Sequence, residues 1–226
     1  MMPNTNTAIV LGGAGDVGEG VVRQLRQAGW DVLVPSRSRE KLDHVAGSTD
    51  GPGGFIPILG DVGSAEGASN IAAEVRSHGN ARLVVASLGG WWSGPPLLEM
   101  EAEDLDGVIA GGLISHFHAA RAFIPLLMSV PGSQYVFING GAARMPVPGS
   151  APISIVASAQ EMMQRAFASE IPEDRPHIYT LLLSVLIETR SRKVAPEGSI
   201  SADDVGAAVI ERFEDRPANG ATVEIP

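Results

Sequence analysis

One short segment constrains this chain more than any other: Gly12-Gly13-Ala14-Gly15-Asp16-Val17-Gly18 sits directly after the apolar run Ala8-Ile9-Val10-Leu11. The residues behind it, Val17, Val21, Val22, Leu25 and Ala28, recur at steps of three and four and so share one helical face. The predicted local order is strand, glycine turn, helix. A phosphate-bearing ligand reaches backbone N–H groups at a helix N-terminus only where Cβ atoms leave room. Gly12, Gly15 and Gly18 leave that room, so the turn, with Asp16 and Val17 inside it, is predicted to cradle the pyrophosphate of a dinucleotide. A Gly-rich turn with no ligand is the alternative.

The same alternation continues along the chain. Asp31 to Val34, Phe55 to Leu59, Arg82 to Val85, Tyr135 to Ile138, Ile178 to Leu183 and Thr222 to Ile225 read as further strands. Ser64 to His78, Glu101 to Met128 and Ala157 to Ile171 have helical spacing, and Ser201 with Asp204 offers a capping box for a last helix. Strands alternating with helices call for right-handed crossovers and a parallel sheet covered on both faces. The fold class expected is α/β, a Rossmann-like doubly wound sheet of about seven strands in a single domain over residues 1–226. Residues 191 to 200 lack periodicity and read as a loop, either a plain connection or a lid over a pocket.

Charge narrows the partners. Sixteen basic against 26 acidic residues give a net charge of −10, which repels nucleic-acid backbones and anionic lipid. Neither nucleic acid nor membrane is an expected partner. The absence of cysteine excludes disulfides, thiolate metal sites and a Cys nucleophile. Met1 to Thr7 lacks the basic and apolar regions of a signal peptide, so a cytoplasmic location is expected.

The end of the second strand speaks to the cofactor. An NAD-preferring unit places a carboxylate there for the ribose hydroxyls. Here the chain reads Pro35-Ser36-Arg37-Ser38-Arg39, and Asp31 lies at the strand's other end. A guanidinium forms paired, charge-assisted hydrogen bonds with a 2′-phosphate, so NADP(H) is the expected cofactor, with Ser36 and Arg37 at its adenosine end. Solvated residues at a helix start are the alternative.

With these residues in view the chain resembles the short-chain dehydrogenase/reductase family, nearly end to end. Gly12 to Gly18 looks like its Gly-rich motif, with Leu11 where Thr is usual and spacing closer to GxxGxxG. Arg37 falls where NADP-preferring members carry a basic residue. Asp61-Val62 resembles the pair that touches adenine, Ala86-Ser87-Leu88-Gly89 falls on the Asn-Asn-Ala-Gly segment, and Ile187-Glu188-Thr189 resembles the segment that contacts the nicotinamide amide. Asp61 also suits a cap for the helix near Ser64, and Thr189 a plain loop hydroxyl.

The resemblance implies a catalytic Tyr-x-x-x-Lys pair, a Ser and an Asn, and this chain departs from all four. The positions fall on Ile153, Ala157, Gly140 and Gly112. No register shift restores the pair, because Asn139 and Leu183 lie four residues after the two tyrosines, Tyr135 and Tyr179. The lysines are Lys41 and Lys193. Losing a positioned proton donor costs roughly 100- to 10,000-fold in rate. Polar groups expected near the altered site are Asn139, Ser154, Ser158, His116 and Ser87, with Trp91 and Trp92 on the loop after the fourth strand. His116 and His118 point to different faces of one helix and do not make a metal site. Two functions follow: an atypical NADP(H)-dependent oxidoreductase, or a pseudoenzyme that binds NADP(H) and acts by sensing or protein contact. The family's usual assembly implies a homodimer or homotetramer.

Overall fold

A computed structural model describes residues 6–172, 175–191 and 196–225. Lys193, the rest of 192–195 and Met1 to Thr5 lie outside these. The apolar runs form β1 (Thr7–Leu11), β2 (Asp31–Ser36), β3 (Phe55–Leu59), β4 (Leu83–Ala86), β5 (Gln134–Gly140) and β6 (His177–Leu183). After them come the two-residue strands β7 (Ile187–Glu188) and β8 (Ile200–Ser201), then β9 (Thr222–Ile225). Seven strands make one sheet in the order β3-β2-β1-β4-β5-β6-β9, every pair parallel, and β7 pairs with β8 separately. The order reverses between β1 and β4, the switch point where α/β sheets open a crevice at the carboxyl ends of their strands.

The helices are α1 (Asp16–Gln27), α2 (Arg39–Ser48), α3 (Ala65–Arg76), α4 (Ala102–Ile109), α5 (Ser115–Leu127), α6 (Ala151–Glu170) and α7 (Ala202–Asp215). Strand side chains alternate between the two layers. Ala8 and Val10 face Val21, Leu25, Leu42, Val205 and Phe213, whereas Ile9 and Leu11 face Ile71, Phe123, Leu127 and Ala168. Gly20 and Gly206 let α1 and α7 close on each other: a Cβ on Gly20 would lie 2.2 Å from the Ala202 backbone, and one on Gly206 2.6 Å from the Gly20 oxygen.

Three segments differ from the sequence reading. The predicted helix from Glu101 to Met128 is interrupted by a π-turn over Ala110–Ile114, where two adjacent glycines permit the wider backbone. The helix predicted from Ala157 begins at Ala151, because Pro152 is tolerated in a first turn whose N–H groups need no intrahelical partner. An additional helix, α2, is started by Ser38, whose Oγ accepts a hydrogen bond from the Lys41 N–H at 3.2 Å. The capping box at Ser201 and Asp204 is present as read. No helix among the described residues is long and apolar enough to cross a membrane.

Candidate active site

The glycine turn does two jobs. Gly12 has φ +81°, and a Cβ there would lie 2.0 Å from the Ser87 carbonyl oxygen; on Gly18 it would lie 2.1 Å from the Gly12 oxygen. Those two glycines serve the chain's own packing of β1, β4 and α1. Gly15 is different, since its Cβ would meet only the Gly12 oxygen, at 3.1 Å. Gly15 is the N-cap of α1 and has no side chain to bond the helix's first N–H groups. A cradle without a Cβ, opening on uncapped amide donors, fits a pyrophosphate. Half-buried Asp16 and Val17 start α1, and the Asp16 carboxylate accepts a hydrogen bond from Ser191 Oγ. Beside it, buried Glu19 pairs with Arg23 at 3.0 Å and Arg190 at 3.6 Å, which ties the segment after β7 to α1.

At the end of β2, Ser36 Oγ accepts from the Ser38 N–H at 3.2 Å. Arg37 is exposed, and no hydrogen bond or ion pair to its guanidinium occurs among the described residues. Asp31 is engaged at the strand's start, where it accepts from the Gly54 N–H at 2.7 Å. Asp61 is exposed and accepts from the Gly63 N–H at 2.8 Å, whereas Ser64 is the residue that caps α3. The cap reading of Asp61 is therefore wrong. Val62 packs against the core layer of α3 and α5.

β4 ends beside the glycine turn. The Ser87 N–H donates to the Leu11 carbonyl at 2.9 Å, and Gly89 turns with φ +99°, its missing Cβ 3.5 Å from Gly112 Cα. Thr189 Oγ1 lies 3.3 Å from Ser191 Oγ. The glycine turn therefore meets the β4 exit at Gly12 and the segment after β7 at Asp16, through Ser191.

Several candidate polar groups turn out to be committed. Ser154 Oγ accepts from the Val147 N–H at 3.0 Å, and Ser158 Oγ donates to the Ala143 carbonyl at 2.9 Å; both pin the segment between β5 and α6. Asn139 Nδ2 donates to the Ala157 carbonyl at 2.8 Å while its Oδ1 accepts from the Gly140 N–H. Both tyrosines are buried in the sheet with hydroxyls that have no partner among the described residues, and burial pushes both phenols well above their ordinary pKa. A Cβ on Gly140 would meet open space, whereas one on Gly112 would lie 2.5 Å from Val156 Cγ1.

His116 is buried, stacked on Phe137 with ring centroids 5.6 Å apart, and its Nε2 lies 3.2 Å from the Leu88 carbonyl oxygen. Burial lowers its pKa to about 4. No cluster of three metal-ligating side chains occurs among the described residues. Trp91 is exposed and donates from Nε1 to Ser93 Oγ at 2.9 Å, and Trp92 lies over Gly94. The sequence reading missed Ser93 and Ser150, whose hydroxyls sit 3.1 Å apart and join the two loops that follow β4 and β5. Their only signal in the sequence is a place on loops at the carboxyl ends of strands.

Comparison with known proteins agrees with this geometry. Residues 6–191 match the family model described as short chain dehydrogenase. Short-chain dehydrogenase/reductase PhomF of Diaporthe leptostromiformis is 36% identical over 83 residues, 36% of this chain and 28% of that protein. Senescence-associated protein 13 of Arabidopsis thaliana is 27% identical over 171 residues, covering 74% of this chain and 63% of the relative. The chain thus spans less than two thirds of the length of these relatives. In fold it is similar to a short-chain dehydrogenase/reductase from Serratia marcescens, with TM-score 0.86 at 20% identity over 97% of this chain and 96% of the other. A family match over residues 6–191, on a seven-stranded parallel sheet with the glycine turn at its switch point, establishes that the chain belongs to the short-chain dehydrogenase family.

Proposed function

We propose that the protein binds NADP(H) and is an atypical oxidoreductase that works without the family's usual Asn, Ser, Tyr and Lys. The observation that carries the cofactor half is Arg37, an exposed guanidinium at the end of β2 with no hydrogen bond or ion pair among the described residues. In this reading Gly12, Gly15, Asp16, Val17 and Gly18 surround the pyrophosphate, Ser36 and Arg37 the 2′-phosphate, Asp61 and Val62 the adenine, and Ser87, Gly89 and Thr189 the nicotinamide half. The nicotinamide supplies a hydride when bound. The chain's own residues bind and orient it, and half-buried Ile153 and buried Ala157 bring only apolar side chains where the family has a phenol and an ammonium.

That replacement selects the chemistry. A substrate whose carbon takes hydride without simultaneous protonation, such as an iminium, makes the smallest demand on such a site. Ser154 does not replace the donor, because its hydroxyl is held between Val147 and Met145. The commitment of Ser154, Ser158 and Asn139 to backbone partners also favours a second reading, a pseudoenzyme in which NADP(H) is a sensed or structural ligand.

Titration of the full chain with NADPH and NADH separates these readings from failure. NADPH is expected to bind more tightly, and Arg37→Ala to weaken NADPH roughly tenfold to a hundredfold while leaving NADH unchanged. Absorbance of NADPH over imines, enones and ketones then distinguishes an enzyme from a sensor, and ordinary turnover of ketones overturns the altered-site reading. We also propose a homodimer or homotetramer, supported by exposed Phe117 on α5 and exposed Ile155 and Met162 on α6.

A further inference from the structure

We propose that His116 is a positioning residue: the hydrogen bond from its Nε2–H to the Leu88 carbonyl fixes the turn that leaves β4 and, through it, the seat of the nicotinamide half of the dinucleotide. The inference rests on the dinucleotide reading above and goes beyond it, since His116 itself touches neither cofactor nor substrate.

The ring has no exposed surface and stacks at 23° on Phe137. Its Nδ1 is buried without a partner among the described residues. A carbonyl oxygen only accepts, so the bond to Leu88 at 3.2 Å assigns the proton to Nε2 and leaves Nδ1 as a bare acceptor. Burying such an acceptor is unfavourable, and an apolar side chain stacked on Phe137 would avoid it. The Leu88 bond compensates for it. Leu88 follows Ser87, whose carbonyl oxygen packs on Gly12 and whose N–H donates to the Leu11 carbonyl, and precedes Gly89, which turns with φ +99°. The His116 bond holds the chain between that anchored residue and the Gly89 turn. It joins α5 to the β4 exit at the switch point, the part of the crevice beyond the pyrophosphate cradle.

The test compares the full chain with His116→Phe, which keeps the stack and removes the donor, and His116→Gln, which keeps an N–H at similar reach. Two probes are titrated: NADPH, and 2′,5′-ADP, which reports the adenosine end alone. His116→Phe is expected to weaken NADPH roughly five- to tenfold, leave 2′,5′-ADP within about twofold, and regain most of the loss in His116→Gln. Amide hydrogen exchange is expected to quicken at residues 87–90 in His116→Phe only. Equal loss for both probes, or NADPH binding within about twofold of the parent chain, overturns the positioning role. A parent chain that binds neither probe overturns the dinucleotide reading itself, and unchanged exchange at residues 87–90 in His116→Phe would overturn the pinning of the turn separately. If His116→Phe does not fold, His116→Met against His116→Gln decides by the same readouts.

Discussion

The His116 imidazole has no exposed surface, and burial lowers its pKa from 6.5 to about 4. The unfolded chain therefore takes up the proton first as pH falls. Its contribution to stability is complete above about pH 6.5 and is lost progressively toward pH 4, a difference of about 3 kcal/mol across that window. Urea midpoints measured from pH 7 to pH 4 are expected to fall more steeply for the parent chain than for His116→Phe; parallel profiles would contradict the burial. The glycines teach a related lesson. Gly12, Gly15 and Gly18 look equivalent in the sequence, yet Cβ atoms on Gly12 and Gly18 would lie 2.0 and 2.1 Å from backbone oxygens, whereas one on Gly15 would lie 3.1 Å from its nearest neighbour. Spacing identified the turn, but only the contacts across it separate the two tightly packed glycines from the one with more room.

At the level of elements, the break between α4 and α5 matters most for engineering the site. The π-turn over Ala110–Ile114 brings Gly112 against α6, so that a side chain there meets Val156 at 2.5 Å. Gly112→Asn alone is expected to destabilise the fold by about 1–3 kcal/mol through overpacking, and Val156→Ala to relieve most of it, as read from urea denaturation of the single and double variants. For the same reason, reinstating the family's groups with Gly140→Ser, Ile153→Tyr, Ala157→Lys and Gly112→Asn requires Val156→Ala as a fifth change before any ketone reduction is expected. The helical period predicted one continuous helix here because apolar spacing hardly registers a single wider turn. Conversely, Ser201 and Asp204 gave the start of α7 correctly, since a capping box is satisfied by residues three apart.

For the whole molecule, two apolar layers flank one sheet, and the remaining apolar surface on α5 and α6 is the place where copies are expected to meet. Sedimentation velocity is expected to show a dimer or tetramer, and Met162→Glu, at a position 61% exposed, to shift it toward monomer without loss of secondary structure. A monomeric parent chain would refute that assembly.

The sequence by itself determined the parallel α/β architecture, the glycine turn and the place of Arg37, because each is written in residues close together along the chain or in a repeating period. The tertiary structure alone decided which polar side chains are engaged. Ser154, Ser158, Asn139 and His116 all bond to backbone groups, several of them far away in sequence, and a hydrogen bond between distant segments leaves no periodic trace.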